Sequence, residues 1–430
     1  MNTSSNKETT PKANYTSEKK KIFTNIGWLI GEYAMKMLSG LLITIMIARN
    51  LGAEKYGEFQ YALSLVTVFT ALSFICSAEV LVPKLTSSTT TERRKIIGSA
   101  YALRLIISCI AYALLAGYAL LAENETTAET TLILGTIILL NEPHGVVTAW
   151  LQAKTEIRAK AILASVTSLT KLTVVGIIFF HNINSSKAYG WTWPLESILI
   201  AIGLIFVYKR RTGDALILPD TSIMKELLRE GLPFFGGLIA AYIYLRTDII
   251  LLKQYGTAHD LGAYSAATQL LTALTAFAPI LVMSMAPLMV YRQEDTAIIR
   301  RNLTKMTLLV AIFAILAATL TSLLAKWIVP LLLGEEYTLT IPIIRWLSFA
   351  AIFLFIESSL NVYLIKTKKG WLISYKWVIA LFIAIFFHVM LIPPFGAFGA
   401  VAGYAAGYIS ACIYNILCIF FIQHDSASQT

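Results

Sequence analysis

Twelve runs of roughly twenty apolar residues fill this chain, and each is long enough to cross the hydrocarbon core of a bilayer. They fall at about 23–48, 59–83, 97–121, 131–151, 161–180, 190–208, 231–252, 262–290, 303–330, 341–364, 370–392 and 397–422. Polar, Gly and Pro residues separate them, as loops require. In lipid an open backbone has no water to bond, so such runs must be helices. Composition agrees: 14% of the 430 residues are charged, against about 25% in soluble domains. Mean hydropathy is +0.68. The expectation is an all-α polytopic membrane protein of about twelve spans. The first 22 residues are polar and rich in Ser, Thr and Lys, which reads as a disordered tail rather than a cleavable signal. Residues 423–430 read as a second short tail. Cys76, Cys109, Cys412 and Cys418 all lie in apolar runs without metal-ligand spacing, so they read as small packing residues.

Loop charge sets the orientation. Lys and Arg collect in cytoplasmic loops. With the N-terminus placed inside, 23 of the 35 basic residues fall in inside segments, 5 outside and 7 within spans. Both termini are therefore expected in the cytoplasm, with an even number of spans. The net charge of +10 is then topological, and nucleic-acid binding is not implied.

The longest break, 209–230, contains Ile223, Met224, Leu227 and Leu228 at helical spacing, which predicts an amphipathic helix on the cytoplasmic surface. It divides the chain into a first lobe, 23–208, and a second, 231–422. The lobes share a signature. Gly57, Phe59, Ala62 and Leu65 after the first span recur as Gly262, Tyr264, Ala267 and Leu270 after the seventh, at identical offsets. Both spans run inside to outside, so the repeat is parallel, about an axis along the membrane normal. Transporters built from such halves bind cargo between them near the midplane.

The same segments carry a family resemblance. Asn25-Ile26-Gly27-Trp28, Ala48-Arg49-Asn50-Leu51-Gly52 and Tyr56-Gly57-Glu58-Phe59 open the series. Trp150-Leu151-Gln152-Ala153, Gly231-Leu232-Pro233, Arg246-Thr247-Asp248 and Tyr264-Ser265-Ala266-Ala267 continue it. Leu333-Gly334-Glu335-Glu336-Tyr337 and Gly396-Ala397-Phe398-Gly399-Ala400 complete it. In this order the chain resembles the Wzx-type polysaccharide flippases of the MOP (MATE-like) superfamily. The resemblance implies two six-helix lobes around a central cavity, in a bacterial inner membrane. It implies passage of an undecaprenyl-diphosphate-linked oligosaccharide from the cytoplasmic to the periplasmic leaflet, for O-antigen-like surface polysaccharide. A polysaccharide polymerase and a chain-length regulator are the protein partners it implies.

Charges at bilayer depth are costly and mark function by default. Lys36 lies mid-span with Glu32 one turn earlier, either a structural ion pair or part of a hydrated cavity. Glu142, in Asn141-Glu142-Pro143-His144, sits where Pro143 is expected to kink its helix. Lys171 is central in its span. Arg104 either snorkels or faces the cavity. Arg246 and Asp248 are two apart and need separate partners. Lys305, Arg345 and Lys376 lie close enough to helix ends to snorkel, and Glu196 reads as interfacial. A diphosphate takes charge-assisted bonds from Arg and Lys, so Lys36, Lys171, Arg104 and Arg246 are the candidate cargo ligands. Glu32, Glu142 and Asp248 combine acidity with depth and are candidates to couple an H⁺ or Na⁺ gradient. Tyr242 and Tyr244 are possible cavity aromatics.

Two other classes compete. A multidrug or cation antiporter of the same superfamily would favour acidic cavity residues, and Lys36 and Lys171 count against it. A membrane polymerase or glycosyltransferase would need a sizeable outside loop, and 122–130 and 326–340 are too short. No phosphate-binding G-x-x-x-x-G-K-[ST] and no metal set is present, so neither cofactor nor metal is expected.

Overall fold

The computed structural model describes residues 11–427 apart from 155, 214–218 and 368, and every regular element among them is helical. Among the described residues eleven helical stretches are long and apolar enough to cross a membrane, and the first, Gly31–Ser87, contains a turn. At Gly52 the backbone takes φ 76° and ψ 169° inside the stretch Pro11–Ala71. Only glycine adopts that conformation freely, so the chain reverses there and makes two spans. The result is twelve crossings, as expected.

We number them α1 (11–51), α2 (53–87), α3 (Thr90–Ala122), α4 (Glu125–Ala153), α5 (Ile157–Phe180) and α6 (Ser186–Thr212) in the first half. The second half holds α7 (Thr221–Tyr255), α8 (Ala258–Tyr291), α9 (Thr296–Leu333), α10 (Thr340–Lys366), α11 (Gly370–Phe395) and α12 (Ala397–Ala427). Short polar segments start the spans. Thr89 with Glu92, and Thr257 with Asp260, form capping boxes, while Asn124 and Asp295 cap α4 and α9. Each cap satisfies amide groups that a helix start leaves open.

Two expectations change. Residues 1–10 lie outside the described residues, but from Pro11 the expected disordered tail is helical and continues into α1. At the other end α12 continues through Ala427. Among its described residues the 209–230 segment holds no separate surface helix. Asp220 caps a helix that runs unbroken through Tyr255. The apolar face does not lie on a membrane surface either. Leu227 is fully buried, and Ile223 and Met224 pack with it against Val80, Leu81 and Ile97 of the first half. Burying that face in protein joins the segment to α7, and Lys84 of α2 reinforces it by pairing with Glu226 and, at 3.0 Å, with Glu230.

The repeat becomes a packing feature. Gly57 of α2 and Gly262 of α8 meet backbone to backbone. A Cβ on Gly57 would stand 2.7 Å from Gly262 N, and one on Gly262 would stand 2.1 Å from Ala53 O. The offset of 205 residues that relates these glycines is within one residue of the offset between two helix breaks. The regular α-helix of α2 ends at Ala71, before a 3₁₀ stretch Leu72–Cys76, and that of α8 ends at Thr275.

We call the membrane side carrying Gly52 the turn face, and the side where α1 begins the N-terminal face. Toward the turn face one core joins both halves, with Ile47, Tyr56 and Phe59 packed among Leu261, Tyr264 and Tyr337. Polar contacts cross the same seam. Arg49 Nη2 donates to Leu331 O at 2.7 Å, Tyr337 OH donates to Ala48 O at 2.9 Å, and Lys253 pairs with Glu58 at 3.0 Å. Toward the N-terminal face the cores are separate. Apart from residues of the 221–235 segment, one belongs to the first half, and two belong wholly to the second. The halves therefore share one core at the turn face, and toward the other face the start of α7 makes the contact between them.

Candidate functional site

Two cavities lie along the seam. The first, of about 220 Å³, is lined from the first half by Lys36, Thr44, Gln60, Lys171 and Trp193, and from the second by Gln269 and Thr272. Lys36 and Lys171 thus line one space. Their electrostatics differ. The Lys171 ammonium is buried, 3.1 Å from Glu196 and 3.3 Å from the centroid of the Trp193 ring. Glu196 is therefore an interior partner rather than an interfacial residue. Lys171 is neutralised and held by an ion pair and a cation–π contact. Lys36 shares Glu32 with Lys160 of α5, at 3.0 and 3.1 Å. Two ammonium groups on one carboxylate leave a net positive charge. Lys36 is 44% exposed where Glu32 is 6%, so Lys36 is the partner free to turn into the cavity. Across the seam Gln269 donates to Gln60 at 3.2 Å, and Gln60 donates to Tyr56 at 2.8 Å.

The second cavity, of about 350 Å³, lies nearer the N-terminal face. Arg104, Asn141, Glu142, Thr148 and Gln152 line it from the first half, and Leu238 and Tyr242 from the second. Arg104 does not snorkel. Its guanidinium donates through Nε at 3.0 Å and through Nη2 to Cys76 O, and through Nη1 at 3.1 Å to Glu142 O. It lies 4.0 Å from the Glu142 carboxylate. Cys76 ends the 3₁₀ stretch of α2, so Arg104 satisfies a carbonyl that the broken helix leaves open. Helix α4 is continuous from Glu125 to Ala153 through Pro143. Beside it His144 bonds Leu140 O through Nδ1 at 2.5 Å and Tyr101 OH through Nε2 at 3.3 Å.

Arg246 lines neither cavity. It is half-buried, within electrostatic reach of Asp248 and of Tyr56 across the seam. Asp248 is buried and accepts from Tyr264 OH at 2.8 Å and from Ile249 N at 2.7 Å. Of the two tyrosines proposed for the cavity, Tyr242 lines the second one, while Tyr244 is buried in the second half with its hydroxyl on Tyr404 O at 3.0 Å. Lys376 overturns its expectation. Rather than snorkelling it is completely buried, bonded to Glu357 and, at 2.9 Å, to Asn361. Among the described residues no cluster of three metal-ligating side chains occurs.

Sequence reasoning missed four residues that matter here. Lys160 falls among the inside-segment charges, and Trp193 carries no distinguishing signal in the sequence. Gln60 and Gln269 each carried a signal, a lone amide inside an apolar run. The outside segment 326–340, considered for an active site, folds into the end of α9, a short 3₁₀ turn Glu335–Tyr337 and the start of α10, with Tyr337 buried.

Comparisons with known proteins bear on this arrangement. The family described as "Polysaccharide biosynthesis protein" is matched over residues 22–293. No curated protein matches the chain. Among solved structures, the lipid II flippase MurJ in an inward closed conformation superposes with a TM-score of 0.75 at 14% identity, over 92% of this chain and 87% of that one. An inward-facing multidrug resistance MATE transporter of the MOP superfamily gives 0.70 at 12% identity, over 90% and 96%. The MATE transporter VcmN of Vibrio cholerae gives 0.58 at 16%, over 95% and 98%. At these identities the likeness is one of fold: a multi-pass membrane protein of two six-helix halves.

Proposed function

We propose, from the premise that this chain belongs to the polysaccharide biosynthesis protein family, that it is a flippase and not an enzyme. Its cargo is an undecaprenyl-diphosphate-linked oligosaccharide of the kind used for O-antigen-like surface polysaccharide. The observation that carries the reading is the first cavity, which both halves line. There an excess ammonium, Lys36, lines the same space as a second, Lys171, together with Trp193 and two glutamines. A diphosphate needs fixed cations, and a glycan needs amides and hydroxyls to replace its water. Both are present at bilayer depth.

The inside bias of Lys and Arg makes the N-terminal face cytoplasmic, in a bacterial inner membrane. The seam is packed at the turn face, so this conformation is closed to the periplasm, with the second cavity on the cytoplasmic side. Rocking the halves about the Gly57–Gly262 contact would close one face as it opens the other. A cation antiporter fits less well, because Glu32, Glu142, Glu196 and Glu357 each already face a cation of the chain.

The test is flipping of a fluorescent polyprenyl-diphosphate oligosaccharide in liposomes. A charge-assisted bond contributes about 1.5–3 kcal/mol, so Lys36→Ala and Lys171→Ala should each slow flipping by about 10- to 100-fold. Wild-type rates in both variants would remove the assignment of this cavity.

A further inference from the structure

The second cavity enters the reading above only by its position, yet its walls are built for a ligand. One wall is a polar stripe on α4. Asn141, Thr148 and Gln152, with Gly145 among them, recur every third or fourth residue and so share one face of the helix. The stripe runs from mid-span to the end of α4 at the N-terminal face. Asn141 and Gln152 are exposed and Thr148 is half-buried. Among the described residues none of these three side chains has a hydrogen-bond partner. Uncommitted polar groups within a span are costly and mark function by default. A second wall is aromatic. Phe74 of the 3₁₀ stretch and Tyr242 of α7 bring one ring from each half, with centroids 4.8 Å apart. Arg104 reaches the same space beside Gly145, where a Cβ would stand 2.8 Å from Nη1. Its guanidinium is already committed to Cys76 O and Glu142 O, and its charge is matched by the Glu142 carboxylate at 4.0 Å. The first cavity differs, because there two ammonium groups share Glu32.

We infer that the second cavity is a carbohydrate subsite that takes a neutral sugar of the cargo, while the first cavity holds the diphosphate. The inference rests on the diphosphate reading above. A pyranose ring has a C–H face, which an aromatic side chain covers, and a rim of hydroxyl or acetamido groups. Each free amide offers that rim two donors and an acceptor, and the Thr148 hydroxyl offers one donor and an acceptor. Mostly apolar walls with a few placed polar groups are what a small-molecule site needs, and a volume of about 350 Å³ falls in the usual range of about 300–1,000 Å³. Charge decides the class of sugar. A hexuronic acid would bring a second carboxylate beside Glu142 and meet a guanidinium that backbone carbonyls already hold. A neutral sugar meets neither obstacle, so the cavity selects by what it repels as well as by what it bonds. Tyr242 and Leu238 belong to the second half and the stripe to the first. The sugar therefore bridges the seam, as the diphosphate does in the first cavity.

The experiment is titration calorimetry on the purified full chain in detergent with three short-chain polyprenyl diphosphates. One is bare, one carries a neutral disaccharide of an N-acetylhexosamine and a hexose, and in the third that hexose is replaced by its hexuronic acid. The wild type should bind the neutral glycosyl carrier about tenfold or more tightly than the bare one, as two or more added hydrogen bonds require. It should bind the hexuronic carrier no more tightly than the bare one. Asn141→Leu and Gln152→Leu should each remove about 2- to 10-fold of the gain, one hydrogen bond's worth, and leave the Kd of the bare carrier within about twofold. Binding of the bare carrier also reports that a variant is folded, and Thr148→Val serves if neither leucine variant is. A wild type that binds the bare and neutral carriers equally, or variants that weaken both alike, overturn the subsite and leave the diphosphate reading standing. Equal affinity for the neutral and hexuronic carriers overturns the assignment to neutral sugars. A wild type that binds none of the three overturns the diphosphate reading, and this inference with it.

Discussion

Replacing Lys376 by methionine should destabilise the protein by about 3–5 kcal/mol, the usual cost of stranding one member of a buried ion pair. Lys376 is 0% exposed and the Glu357 side chain 7%. Nothing else within bonding distance of the Glu357 carboxylate is charged among the described residues: Asn361 bonds the ammonium, and Asn415 reaches only the Glu357 carbonyl, at 3.5 Å. Without the lysine the buried carboxylate is left without a cation beside it. It must then take up a proton or draw water into the lobe. The pair itself is a different matter. Removing both charges together, as in Lys376→Met with Glu357→Leu, discards the desolvation cost along with the attraction. The double variant should recover most of the lost stability. Thermal unfolding in detergent measures both. A single variant as stable as the wild type would defeat the argument, as would a double variant no better than the single one.

Lys376 also marks where sequence reasoning stopped. Depth along a span can be counted from residue numbers, and that count is how Lys36, Lys171 and Glu142 were singled out. What covers each side of a span cannot be counted. Lys376 lies six residues after α11 begins at Gly370, close enough to an end to snorkel, but α10 covers its side of the helix with Glu357 and Asn361. The amphipathic pattern at 223–228 was read correctly, and its partner was not. An apolar stripe fits a membrane surface and a protein groove equally well until the groove is known. The Gly57 and Gly262 signature was legible because a close backbone contact admits one residue type, so the constraint is written at the position itself.

That contact gives the second large effect. Gly57→Val should break the seam at the turn face. A Cβ at 57 would lie 2.7 Å from Gly262 N and 2.9 Å from Gly262 Cα. Both are backbone atoms in the middle of a packed core, so no side chain can swing aside. The helices must separate, and overpacking of this kind costs about 1–3 kcal/mol or more. Separation of α2 from α8 would also strain the bonds beside it, Lys253 to Glu58 and Tyr337 to Ala48 O. The prediction is therefore a loss of stability together with an opening at one face. A cysteine at Glu58, which now pairs across the seam, should react faster with a membrane-impermeant maleimide in Gly57→Val than in the parent. Gly117→Val is the control, since a Cβ there meets nothing within 4 Å, and it should change neither property. Gly262→Val would press on Ala53 O at the same crossing, so its effect and that of Gly57→Val should be non-additive. If Gly57→Val is as stable and as unreactive as Gly117→Val, the α2–α8 crossing is not the point at which the halves are held together.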